Sequence, residues 1–139
     1  MIAKFSYDDI EVGNDYSFKK SFSKDEVIQF SKLSGDTNPL HIDEKFAKES
    51  IFGKNIVHGM LISSLFSRII GVYCPGERSL YLSQTLSFRK PLFIDEEILV
   101  KGEVVKKYDS LKIIEMKTEI IKNEEILVSG LAKVKVLEK

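Results

Sequence analysis

The feature that most constrains this chain is a change of hydrophobic period between its two halves. Between Ile56 and Gly71 the apolar residues Met60, Leu61, Ile62, Leu65, Phe66, Ile69 and Ile70 surround most of a helical circumference, with small serines between them. A helix that is apolar almost all round has to be buried, so this segment predicts the central element of a core. From Ser79 onward the period becomes two. Leu80, Leu82, Leu86 and Phe88 share one face of a strand, and Ile98, Val100 and Val104 share another. Ile114, Met116, Thr118 and Ile120 form a third set, and Ile126, Val128, Ala132, Val134 and Val136 a fourth. Long alternating runs joined by short polar turns predict an antiparallel meander with one face against a core. Tyr16, Phe18, Lys20 and Phe22 alternate ahead of the helical part and add a short strand. The expectation is an α+β layer arrangement, an antiparallel sheet wrapped around a long buried helix.

Local signals place the remaining elements. Ser23 with Glu26 three residues on fits a capping box, Val27, Phe30 and Leu33 follow at helical spacing, and Gly35 supplies a stop. Asp43 caps a short helix through Phe46 and Ala47, and Pro75-Gly76 is a turn. With 139 residues, and no linker or repeat, the chain reads as one domain over 1–139. Its 21 Lys+Arg balance 21 Asp+Glu, which removes any electrostatic reason to expect nucleic acid or an anionic membrane as partner. The single cysteine, Cys74, excludes an internal disulfide and a multi-cysteine zinc site. Two histidines, His41 and His58, do not suggest a metal cage. The apolar stretch Ile56 to Ile70 is broken by His58, three serines and Arg68, and falls short of the roughly 20 residues that span lipid. Residues 1–9 lack the cationic and apolar regions of a signal peptide, so a cytoplasmic setting is the default expectation.

Polar residues crowd one place, Ser34 to His41. Pro39 pushes Asn38 out of the α region and lacks an N–H, so the segment is a bent loop. Such a loop can aim the Asp36 carboxylate and the His41 imidazole at one point. The pair can then hold a single water, one member accepting its proton and the other supplying one. Ordinary turn chemistry accounts for the same residues, because Asx side chains often bond their own backbone. A second cluster, Ile56 to Leu61, opens the buried helix. Gly59 permits close approach to the backbone, and free N–H groups of a helix start suit an oxygen that gains negative charge. Gly59 equally serves simple packing. His58 reads as a local cap or packing residue, Cys74 as inert, and Arg78, Arg89 and Lys90 as solvated cations. Ser63, Ser64 and Ser67 read as small residues under packed strands, Ser67 also as a candidate for a supporting hydrogen bond.

Together the two clusters resemble the MaoC-like, (R)-specific enoyl-CoA hydratase family of hotdog-fold proteins. The resemblance is carried by Phe30 through His41, Phe52-Gly53, Ile56-Val57-His58-Gly59-Met60-Leu61, Pro75-Gly76, Tyr81 through Phe88 and Pro91. It implies a hotdog fold paired into a homodimer with continuous sheets. It also implies reversible syn hydration of a trans-2-enoyl-CoA to the (R)-3-hydroxyacyl-CoA, in fatty-acid metabolism or polyhydroxyalkanoate supply. On that resemblance Asp36 acts as base toward the water, while His41 orients it and helps deliver a proton to the α-carbon, or the two roles are exchanged. The Gly59 N–H would bond the thioester carbonyl, with Asn38, Ser67 and Met60 also at the substrate. No cofactor or metal is implied, because the thioester itself acidifies the α-carbon and coenzyme A is only the substrate's handle. Relatives include dehydratases of chain elongation. Other hotdog proteins are acyl-CoA thioesterases, and an acyl-CoA-binding module without turnover is the non-enzymatic reading.

Overall fold

The structure is a computed structural model that describes residues 1–138. After a short 3-10 turn, the chain runs through β1 (Asp15–Lys20), α1 (Lys24–Ser34), α2 (Pro39–Ile42) and α3 (Glu44–Lys48). Next come α4 (Gly59–Ser63), α5 (Leu65–Arg68) and one turn of π helix (Ile69–Tyr73), which together form the central helix. β2 (Ser79–Gln84), β3 (Ser87–Phe88), β4 (Ile98–Tyr108), β5 (Ile113–Lys122) and β6 (Glu125–Val136) complete the chain. The sheet is antiparallel in the order β1-β4-β5-β6-β2, with β3 also paired to β6. This is the expected hotdog arrangement. No helix among the described residues is long and apolar enough to cross a membrane.

The alternation of β4, β5 and β6 sets the core. Val100 stands opposite Ile120, which stands opposite Val128; Val104, Met116 and Ala132 form a parallel row. All six are essentially inaccessible to solvent, so a slip of one residue in any ladder would turn a whole row outward. Between these rows lies Gly102, paired with Thr118 and through it with Gly130. A Cβ on Gly102 would stand 2.6 Å from Ile69 Cγ2, so the missing side chain is what lets the central helix lie this close to the sheet. A Cβ on Gly130 would meet the Thr85 carbonyl oxygen at 1.8 Å, where the β2–β3 segment bends over β6.

Four expectations change in detail. The central helix begins at Gly59, not Ile56. Ile56 bridges Phe93 and the Val57 N–H donates to Leu92 O at 2.8 Å, so this β-branched pair is used as strand. The helix is also not buried all round. Ile62, Ser63, Phe66, Ile69 and Ile70 face the core, whereas Met60, Ser64, Ser67 and Arg68 form an exposed stripe. Along the helix, the Ser63 and Ser64 hydroxyls donate back to the carbonyls of Gly59 and Leu61, and the α segments α4 and α5 meet at Ser64. In addition, the inward face of β2 is the opposite of the expected one. Leu80 (48%) and Leu82 (47%) are exposed, while Tyr81 and Leu86 pack on the core. A register shift between Tyr81 and Ser83 and the bend after Gln84 carry Leu86 inward although it shares parity with Leu82. Leu33, placed by periodicity on the buried side of α1, is exposed as well; Val27 and Ser31 carry that face.

Candidate active site

The site is assembled from the end of α1 outward. Ser23 Oγ accepts from the Glu26 N–H at 3.2 Å and the Ser23 N–H donates to Glu26 Oε1 at 3.0 Å, the expected capping box. Lys20 donates to the other Glu26 oxygen at 2.7 Å. The Lys20 hydrogen bond, followed by that of the Ser23 backbone, holds the Glu26 carboxyl below its ordinary range. At the far end Gly35 adopts φ 80°, left-handed, and its N–H donates to Ser31 O. The polar loop then closes on itself. Ser34 Oγ accepts from the Asp36 N–H, Asp36 Oδ1 from the Asn38 N–H at 3.3 Å, and Asn38 Oδ1 from the Leu40 N–H at 3.0 Å. Turn chemistry and the placing of Asp36 at the cavity are therefore compatible: the Asx bonds shape the bend that presents its carboxylate.

His41 follows in α2. Its Nδ1 lies 2.8 Å from Ile56 O. A carbonyl only accepts, so Nδ1 carries the hydrogen and Nε2 is left as the second working nitrogen of the ring. The segment that starts the central helix thus also orients His41. Directly behind that imidazole sits His58, 2% exposed, with ring centroids 3.8 Å apart and planes 25° from parallel. The Phe30 ring meets His58 edge-on at 4.8 Å. Burial, reinforced by the neighbouring His41, pushes the His58 imidazole below its usual range. The sequence reads His58 as a local cap or packing side chain; it makes no side-chain cap bond, and nothing local to the Ile56–Leu61 segment reports its stacking partner in α2.

One ligand atom from each of Asp36, His41 and His58 lies within 4.8 Å of the others. A carboxylate and two imidazoles are zinc-type donors, but here their geometry is wrong for one ion. Stacked rings direct their nitrogens side by side, whereas tetrahedral coordination needs them to converge. His41 Nδ1 and His58 Nε2 are moreover already engaged in hydrogen bonds.

A cavity of about 500 Å³ opens at this cluster. Asp36, His41 and His58 line one side, Gly59 and Met60 another, and Phe88 and Val128 come from the sheet. A Cβ on Gly59 would approach Phe88 Cε1 to 2.7 Å, so the absent side chain lets the aromatic ring lie over the helix start. Arg89 and Lys90 also line the cavity, and Lys90 is ion-paired with Glu125. Asn38 and Ser67 are not among the lining residues: Asn38 caps α2, and Ser67 lies on the exposed stripe of the central helix. Cys74 is fully buried, and burial pushes its thiol up to about 11. Arg78 borders a separate, smaller cleft.

Fold and site together define a hotdog protein with an Asp–His cavity at the start of its central helix. The chain belongs to the MaoC-like domain family, whose model matches residues 9–126. It is 41% identical over 127 residues to the (R)-specific enoyl-CoA hydratase of Aeromonas caviae, covering 91% of this chain and 95% of that one. It is 35% identical over 133 residues to the 3-hydroxybutyryl-CoA dehydratase of Methylorubrum extorquens, covering 96% and 85%. Among solved structures, the Aeromonas caviae (R)-hydratase superposes with a TM-score of 0.89 over 91% of this chain and 97% of that one. An unliganded R-hydratase of Pseudomonas aeruginosa, 30% identical, superposes with a TM-score of 0.93 over 99% and 89%.

Proposed function

We propose that this protein is an (R)-specific enoyl-CoA hydratase, a lyase that adds water reversibly to trans-2-enoyl-CoA to form (R)-3-hydroxyacyl-CoA. The observation that carries this reading is the shared cavity of Asp36 and His41, with the His41 tautomer set by Ile56 O. The hydratase and dehydratase relatives support it, their two names describing the two directions of one equilibrium.

In the proposed step, water sits between the Asp36 carboxylate and His41 Nε2. Asp36 takes one of its protons as the water oxygen bonds the β-carbon. The π electrons of the double bond move toward the thioester carbonyl, whose oxygen gains negative charge. The proton taken from the water passes from Asp36 to His41 Nε2, which delivers it to the α-carbon on the same face, and this makes the addition syn. Asp36 and His41 are thereby restored to their starting states with one water added to the substrate. The Gly59 N–H, at the first helical position and without an intrahelical acceptor, is the proposed donor to the enolate-like oxygen. One such donor is typically worth about 2.7–4 kcal/mol of barrier, and acid–base groups roughly 10²–10⁴-fold in rate. Met60, 60% exposed beside Gly59, is proposed to contact the substrate.

The partner in this proposal is a second copy of the chain. β2 is an edge strand that exposes Leu80 and Leu82, a row that invites pairing with another β2. The cytoplasmic setting expected from the lack of signal-peptide features in residues 1–9 stays part of the proposal.

Crotonyl-CoA hydration, followed as loss of enoyl-thioester absorbance, tests the reading. The parent is expected to turn over while Asp36→Asn and His41→Ala lose most of kcat. A parent inactive on short and medium enoyl-CoAs, or one that releases free thiol instead, overturns it. Light scattering of the parent and of Leu82→Lys tests the assembly, with a dimer expected for the first and a monomer for the second.

A further inference from the structure

We infer that His58 is a positioning residue for the hydration, a single buried ring that ties the backbone of Asp36 to the imidazole of His41. The inference rests on the reading of Asp36 and His41 as the catalytic pair. His58 touches both members, but at different atoms. Its ring face lies on the His41 ring at 3.8 Å, and its Nε2 stands 3.3 Å from Asp36 O and 3.0 Å from Ser31 Oγ. Because the Asp36 carbonyl only accepts, Nε2 carries the hydrogen and shares it between the two oxygens. The loop that presents the carboxylate and the ring that presents Nε2 of His41 are therefore held against one common element. That element is itself clamped by α1, through Ser31 and the edge of Phe30.

Packing alone does not account for the residue. Nδ1 of His58 is buried and has no hydrogen-bond partner among the described residues. A buried polar atom without a partner costs stability, a cost that phenylalanine, with a similar flat ring and no nitrogen, would not carry at that position. Phenylalanine cannot hold Asp36 O. The histidine is thus a worse core residue and a better strut, the trade expected where a side chain serves geometry at a reacting centre. The His58 ring is not itself required to exchange a proton with the substrate, which separates its role from that of a catalytic residue.

The test compares His58→Phe and His58→Gln with the parent. kcat and KM are measured separately on crotonyl-CoA, and thermal unfolding is followed on the same samples. Phenylalanine keeps the ring and loses the donor; glutamine restores an N–H near the position of Nε2 and loses the ring. Misplacement of reacting groups by about an ångström costs on the order of 100-fold, so His58→Phe is expected to lose roughly that in kcat, with KM within about twofold. Its unfolding temperature is expected to stay close to the parent's, because relief of the unpaired Nδ1 offsets the loss of a partner for the buried Ser31 hydroxyl. His58→Gln is expected to recover part of the lost kcat. A folded His58→Phe with parental kcat overturns the inference, as does a loss of kcat matched by a lower unfolding temperature. Should the phenylalanine variant fail to fold, a His58→Gln variant with parental kcat overturns it equally. A parent without hydratase activity is a different result, because it overturns the proposed function itself and with it the premise of this role.

Discussion

The three-stranded block β4–β5–β6 and the loop–helix cluster from Phe30 to Met60 are built by opposite rules. In the sheet, rows such as Val100, Ile120 and Val128 are apolar and fully buried, and the buried Thr118 hydroxyl is taken by Gln84 Nε2 at 2.9 Å. In the cluster, side chains bond loops and backbone at every step, Asp36 is exposed, and the buried His58 leaves one nitrogen unpaired. The difference teaches where each region's free energy goes. The sheet holds its shape by removing apolar surface from water, a non-directional effect that tolerates imprecision. The cluster depends on directional contacts, which fix atoms more closely and stabilise less.

The sharpest way to break this division is to alter each region by one residue. Asp36→Asn is nearly isosteric and exposed, so its unfolding temperature should match the parent's, while hydration slows by roughly 10²–10⁴-fold. Steady-state kinetics and a melting curve on one sample check this, and a large drop in melting temperature would contradict the assignment of Asp36 to chemistry. Met116→Ala is the converse. Met116 lies at the centre of the sheet row with no solvent exposure, so the truncation should cost about 2–5 kcal/mol in denaturant unfolding. The protein that remains folded should keep its kcat, because Met116 does not line the cavity.

An intermediate effect is expected at Ser23. Its cap fixes the start of α1, whose later residues Phe30 and Ser31 clamp His58. Ser23→Ala should cost about 1 kcal/mol of stability in urea titration. Because the clamp lies two turns further along the helix, kcat should change little. A stability cost near zero would mean that the Lys20–Glu26 pair holds the helix start without the serine.

Legibility in the sequence follows the same division. The buried set Ile114, Met116, Thr118 and Ile120 repeats with period two, and a strand pair enforces that period, so the meander is readable from pattern alone. The Ser23–Glu26 capping box and the Asp36–Asn38 loop are readable because their bonds close within a few residues. Periodicity tells which residues share a face and not which face turns inward, and so Leu80 and Leu82 were placed on the wrong side of β2. The start of the central helix was misplaced because Ile56 and Val57 take their partners from the Leu92–Phe93 segment, far along the chain. The surroundings of His58 are illegible for the same reason: its four contacts come from α1, the loop and α2, and none leaves a trace in spacing.

The smallest effect concerns pH. Burial holds the His58 imidazole below its ordinary value near 6.5, whereas in the unfolded chain it titrates close to that value. Between the two, the unfolded state binds more protons than the folded one, so stability falls as pH drops below about 6.5 and levels off beneath the folded value. Above that window His58 adds no pH dependence. Glu26 and Glu96 also lose stabilisation on acidification, but they do so below about 4.5, where their depressed carboxyls begin to protonate in the unfolded chain. Urea midpoints of the parent and His58→Phe, from about pH 7.5 down to about pH 5, separate the contributions, since the carboxylates are common to both. The two curves should run together at the upper end and diverge below about 6.5, the parent falling faster. Parallel curves would mean that His58 charges as readily inside the fold as outside it, and a ring so easily protonated against His41 would not serve as a fixed strut.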